Sequence, residues 1–148
     1  MAFQTSCAAA GGINCPPDIV ADGEGRELVQ HGSALFPIAC YAEDVKSYSV
    51  AWHWHEEFEF ILAVKGPLTV DVNKTQLVLR TGQGVFINSG VLHGCRQVTE
   101  GSRLFTFGMT PTFFSSPMFG KLYQNIIVPV THCPVRGAFF PGASPENR

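Results

Sequence analysis

Charge is scarce in this 148-residue chain. Only 15% of its residues are Asp, Glu, Lys or Arg, and 10 basic against 12 acidic side chains leave a formal net charge of -2. The basic residues are scattered rather than clustered, which argues against direct nucleic-acid binding by this stretch. Long apolar runs are missing too, and no segment approaches the roughly 20 residues needed to cross a bilayer. Cysteine is sparse and badly spaced for cross-linking. Cys7, Cys15, Cys40, Cys95 and Cys133 are odd in number and contain no Cys-x-x-Cys pair. With no secretory signal in view, the expectation is reduced thiols in a cytoplasmic protein.

The low charge does not mean disorder, because 45% of the residues are hydrophobic. That length and composition suit one full-sized core. Twelve phenylalanines supply core and leave rings over for an apolar pocket or a subunit interface.

The chemistry concentrates in Trp52-His53-Trp54-His55-Glu56-Glu57-Phe58-Glu59 and, later, Gly90-Val91-Leu92-His93. Imidazole nitrogens and a carboxylate oxygen suit a divalent ion such as zinc, nickel, iron or manganese. His53 and His55 are two apart and Glu59 is four further on, so an extended chain puts all three on one face. A helix would turn the two histidines about 200° apart. The alternative is four polar residues serving hydrogen bonds or lining a metal-free pocket.

Residues 1 to 27 read as irregular. Leu35 to Ala42 reads as a strand that Pro37 confines to an edge or a strand start; Tyr41 and Glu43 are candidates to face a ligand, set against a plain surface or core-rim role. Tyr48 to Val64 is extended, with an interruption at Glu56-Glu57, and Phe58 to Val64 is apolar enough for a strand covered on both faces. Glu59 is its exception, a carboxylate that needs a partner. Leu68 to Val72 and Thr75 to Leu79 flank an Asn73-Lys74 hairpin turn. Val85 to Ile87, Val91 to Val98 and Arg103 to Met109 follow, separated by Gly-rich turns. Short strands at this spacing predict a sandwich or barrel. Ser116-Pro117 opens a predicted helix to about Gln124, capped by the serine, with Met118, Phe119, Leu122 and Tyr123 as its apolar stripe. Ile126 to Val130 reads as a short strand or packed tail. Ser144-Pro145-Glu146-Asn147 resembles the opening of a further helix, a hint of a longer polypeptide.

These residues resemble the two signature motifs of the cupin superfamily. His53-x-His55, three residues, Glu59, six residues and Gly66 match the core of the first motif, with Ser47 where the leading glycine usually stands. Gly82, five residues, Asn88-Ser89-Gly90, two residues and His93 match the second, with Asn88 replacing the usual proline and Gln97 the usual asparagine. More closely, residues 28 to 140 resemble the amino-terminal sensor domain of AraC-type transcription factors. The likeness is carried by Trp52 to Phe60, Val85 to His93 and Leu122 to Ile126.

The resemblance implies an all-β fold, a cupin double-stranded β-helix (jelly-roll barrel) with a short C-terminal helical extension. It divides the chain into an irregular segment (1–27), a barrel (28–110), an extension (111–140) and a linker or tail (141–148). It also implies that His53, His55, Glu59 and His93 match the metal ligands of catalytic cupins, with no separate catalytic residue in view. The implied role is a small-molecule sensor for a sugar or small acid and a homodimer, contacting DNA only through helix-turn-helix motifs absent from this stretch. No membrane role is implied. A metal-dependent cupin enzyme, dioxygenase or isomerase, is the alternative. Cys95 is expected to fill core, Arg96 and Arg103 to be solvated rather than to counter an acidic ligand, and Trp52 and Trp54 to pack on the opposite sheet face. His31 and His132 are given no functional reading.

Overall fold

A computed structural model describes residues 19–33, 35–45, 49–97 and 101–142. Outside them lie most of the amino-terminal segment, Ser47, Val98 and the tail from 143, with Ser144 to Asn147. The side chains of Glu43 and Gln97 also fall outside the described part.

Among the described residues, alternating apolar positions give nine strands: β1 (Ile38–Val45), β2 (Ser49–His53), β3 (Phe58–Lys65), β4 (Leu68–Val72), β5 (Thr75–Leu79), β6 (Gly84–Ile87), β7 (His93–Gln97), β8 (Ser102–Met109) and β9 (Gly137–Phe140). They form two antiparallel sheets, five strands ordered β1-β8-β3-β6-β9 and four ordered β2-β7-β4-β5. Pro37 does precede an edge strand. The β4–β5 hairpin turns as the sequence implies, because Asn73 takes the left-handed conformation at φ 53° that an asparagine tolerates. The all-β fold with a short C-terminal helical extension is therefore present. Among the described residues, however, the two sheets are bonded separately and do not close into a barrel.

The core lies between the sheets. Ile61, Ala63, Val85, Ile87 and Leu104 project from the larger sheet towards Leu68, Val70, Val72, Leu79 and Cys95 of the smaller one. Each fully buried aliphatic side chain contributes roughly 1.5–3 kcal/mol. Cys95 is core, as its spacing from His93 implies. Gly66 admits no larger residue here, since a Cβ would sit 2.8 Å from the Leu79 carbonyl oxygen.

Three expectations need correction. First, β3 is covered on one face, not two. Phe60, Leu62 and Val64 alternate with the buried Ile61 and Ala63 and are 38%, 41% and 49% exposed; Phe60 packs its ring 5.0 Å from Phe86 and 6.1 Å from Phe107 on that outer face. The run is apolar because the outer face is apolar too.

Second, Ile126 to Val130 is helical. Gly120–Leu122 is α-helical, Tyr123–Ile127 π-helical and Val128–His132 α-helical. Pro129 lacks an N–H and its ring crowds the carbonyl four residues back, and the wider π turn directly before it absorbs that crowding. Ser116 does precede Pro117 at the helical start, but its side chain makes no capping bond. Met118 is 85% exposed and so leaves the expected apolar stripe.

Third, the extension is not helical alone but ends in a strand, β9, that its sequence pattern does not signal. It pairs with β6 from Gly84↔Phe140 to Ile87↔Gly137 and so fastens the extension to the larger sheet. Asn88, in the usual proline position, explains its own presence here. Its Nδ2 donates to the Val130 carbonyl at 2.8 Å and the Val135 carbonyl at 2.9 Å. A proline could do neither.

Candidate metal centre

The two sheets meet at one end over a group of polar side chains. β2 ends at His53 and β7 begins at His93, and these residues stand opposite each other in the ladder. Each ring is fixed by its own strand. His53 Nδ1 donates to the Ala51 carbonyl and His93 Nδ1 to the Val91 carbonyl, both at 2.8 Å. A carbonyl only accepts, so both Nδ1 atoms carry hydrogen and both Nε2 atoms are turned to the interior.

After His53 the chain makes one bridge at Trp54 and bends at Glu56-Glu57 before β3 starts at Phe58. His55 sits in this crossing, held by its carbonyl, which accepts from Gly90 N–H at 2.8 Å. That bond ties the two sequence motifs together. Gly90 is at φ +70°, a conformation that favours glycine. Glu59 then rises from β3 in the other sheet, opposite Ile87 and Gly108. A single extended face therefore does not gather His53, His55 and Glu59. The chain passes from one sheet to the other between them, and the facing of the sheets brings them together.

The donor atoms of His53, His55, Glu59 and His93 all lie within 4.8 Å of one another. First-row metals bind such donors at about 2.0–2.2 Å, so donors on opposite sides of an ion stand up to about 4.4 Å apart. All four side chains are buried. His93 Nε2 approaches Glu59 Oε2 to 2.7 Å, yet neither atom completes a hydrogen bond, and His55 Nδ1 is likewise buried without one. Buried polar atoms converging without hydrogen-bond partners are costly, and a cation relieves them. The residues thus fit a divalent ion.

Electrostatics agree. Burial acts to raise the Glu59 carboxyl, but the neighbouring His93 and His55 imidazoles hold it well below the usual carboxylate range. Burial and the neighbouring His93 depress His53. Burial works against protonation of His55 too, but Glu59, Glu57 and Glu27 outweigh it and raise that imidazole.

Other sequence candidates fall into place. Trp54 lies away from the donors, its Nε1 donating to the Glu24 carbonyl at 3.1 Å and its face 5.7 Å from the Arg26 guanidinium; Trp52 is about half exposed. Arg96 is held by Asp71 at 2.7 Å, and Arg103 stands opposite Lys65 and Asp44 at the other end of β8. His132 is exposed and bonds the Val128 carbonyl.

His31 was misread. Residues 20 to 28 run beside the crossing: Trp54 N–H donates to the Gly25 carbonyl and Glu27 N–H to the Trp54 carbonyl, both at 2.9 Å. Alternation then turns Arg26 outward to Glu56 and Glu27 inward. Glu27 Oε2 lies 2.8 Å from His31 Nε2 and 3.9 Å from His53 Nε2. His31 Nδ1 in turn lies 2.8 Å from the Tyr41 hydroxyl. Tyr41 is thus linked to Glu27 through His31. No sequence spacing signals Glu27 or His31, since a pairing across the chain positions them.

Two facing antiparallel sheets carry this donor set at one end. The AraC-like ligand binding domain family matches residues 35–117. The chain belongs to that family. It is 31% identical over 118 residues to an uncharacterized HTH-type transcriptional regulator, YdeC, of Bacillus subtilis (strain 168), covering 76% of this chain and 39% of that protein. The chain therefore spans well under half of the curated relative it matches. Among solved structures it is similar to AerE from Microcystis aeruginosa, with TM-score 0.47, 20% identity, and coverage of 49% of this chain and 35% of that one. It is also similar to an RmlC-like cupin from Shewanella frigidimarina, with TM-score 0.44, 24% identity, and coverage of 49% and 67%. No described helix is long and apolar enough to cross a membrane.

Proposed function

We propose that this chain is the small-molecule-sensing and dimerisation domain of an AraC-type transcriptional regulator, with a divalent metal held by His53, His55, Glu59 and His93. The observation that carries the reading is the convergence of four buried donors on one point, within a domain whose curated relative is an HTH-type regulator. DNA contact belongs to a separate helix-turn-helix domain, and the compartment is the cytoplasm.

A bound ion supplies a Lewis-acidic position for an oxygen of the ligand. The protein does the rest. The Ala51 and Val91 carbonyls orient the His53 and His93 rings, and outer partners of this kind commonly fix ligand geometry. Glu27, His31 and Tyr41 line the adjoining wall.

Zinc and nickel titration followed by calorimetry with sugars and small acids tests the sensing role. The expected outcome is stoichiometric metal uptake and a saturable ligand response. In a fusion to a helix-turn-helix domain, the same ligand is expected to alter operator affinity. A monomer with no ligand response, alone or fused, contradicts the proposal. The complete four-donor set also favours a second reading, a metal-dependent dioxygenase or isomerase. Turnover of candidate substrates by the metal-loaded chain would establish that instead.

A further inference from the structure

We infer that Glu27, His31 and Tyr41 form a ligand-reading wall beside the metal donors, and that this wall selects a neutral, hydroxyl-bearing ligand, a sugar or polyol, over a carboxylic acid. The inference rests on the sensing role proposed above and narrows it.

Glu27 is the pivotal residue. Its side chain is 1% exposed, and its Oε1 is buried with no hydrogen-bond partner. Its other oxygen accepts from His31 Nε2–H at 2.8 Å, which in the neutral ring leaves Nδ1 to accept from the Tyr41 hydroxyl at 2.8 Å. The carboxylate is therefore held in place by a braced ring. It stands 3.9 Å from His53 Nε2, yet outside the group whose donors lie within 4.8 Å of one another. It borders the centre without belonging to it. A buried acceptor so placed is satisfied by a donor on the ligand.

Charge decides which ligand. Glu27, Glu57 and Glu59 bring three carboxylates to this end of the fold, and among the described residues their ion pairs are all with histidines. A divalent ion offsets two of the three charges. The nearest arginine on the same segment, Arg26, is turned outward to Glu56 at 2.7 Å. A ligand carboxylate next to Glu27 meets like charge in a buried setting, whereas a hydroxyl donates to it. A hydrogen bond to a charged partner is worth roughly ten- to hundredfold in affinity.

The test uses the full 148-residue chain loaded with zinc and pairs of probes that differ at one carbon: D-galactose and D-galacturonate, D-glucose and D-glucuronate, D-xylose and D-xylonate. Calorimetry and ligand-observed NMR read affinity, and elemental analysis reads zinc content. At least one neutral sugar is expected to bind about tenfold or more tightly than its acid. Glu27→Gln is expected to shrink that gap to about threefold or less with zinc content unchanged. Tyr41→Phe, which keeps ring and charge, is expected to weaken the neutral sugar and leave zinc content alone; it also serves if Glu27→Gln fails to fold. An acid that binds as tightly as its sugar overturns the inference and leaves the sensing role standing. So does a gap unchanged in Glu27→Gln, an affinity unchanged in Tyr41→Phe, or full zinc loading with no probe bound. Absence of zinc uptake in the wild-type chain instead removes the metal site on which both readings depend.

Discussion

Replacing His55 by alanine tests the donor set with little collateral damage. His55 lies between β2 and β3, in neither strand, and its carbonyl bond to Gly90 N–H survives the substitution. The side chain is buried, so the metal-free variant is expected to lose about 1–3 kcal/mol of stability. The larger effect is on the metal. Losing an outer-shell partner costs about 10- to 100-fold in metal affinity, so losing a direct donor costs at least about 100-fold. With free metal at 1,000 times the wild-type Kd, binding stabilises the wild type by about 4.1 kcal/mol, and a 100-fold weaker variant by about 1.4 kcal/mol. For a chain of this size each kcal/mol moves Tm by about 2–4 °C. Scanning calorimetry with and without zinc is therefore expected to show a metal-induced rise of about 8–16 °C in the wild type and about 3–6 °C in His55→Ala. Equal rises in the two proteins would refute the assignment of His55 as a ligand.

Acidity offers a second handle. In the chelator-treated protein, the depressed Glu59 carboxyl contributes stability that is present above the unfolded value near about pH 4.3 and lost as pH falls through its lower folded value. Glu59→Gln is expected to lack that limb in acid denaturation. The raised His31 and His55 contribute below about pH 6.5 and lose their contribution as pH rises through their folded values, while the depressed His53 runs the other way, contributing above about pH 6.5 and losing it as pH falls. Metal affinity is expected to weaken as pH drops below about 6.5, because protons compete for the imidazoles; titration calorimetry between pH 5.5 and 7.5 reads this. Asn88→Ala removes the donor that serves the Val130 and Val135 carbonyls and is expected to cost about 1–3 kcal/mol in urea unfolding with metal binding preserved.

Local pattern was legible in the chain wherever local chemistry decides. The Asn73-Lys74 turn, the strands on either side of it and the edge position after Pro37 follow from alternation and turn residues, and they stand in the structure as read. Where two elements distant in sequence decide, the sequence was silent. Glu27 and His31 reach the site because Glu27 N–H bonds the Trp54 carbonyl, a pairing that no spacing announces. β9 lies in a segment that looks like a tail, and it becomes a strand by joining the open edge of β6. The apolar run from Ile126 to Val130 carries neither a strand nor a helix period, and Pro129 hides its helix further. His53, His55, Glu59 and His93 are legible by motif, but one extended face does not account for their convergence, because β2 and β3 lie in different sheets. The chain changes sheets at Glu56-Glu57, and only the facing of the sheets completes the set.

The most direct measurement is a crystal structure of the zinc-loaded chain with anomalous data collected on both sides of the zinc absorption edge. The account predicts a single strong anomalous peak at about 2.0–2.2 Å from His53 Nε2, His93 Nε2, a His55 ring nitrogen and a Glu59 oxygen. A peak elsewhere, or these four side chains turned apart with no peak between them, would contradict it.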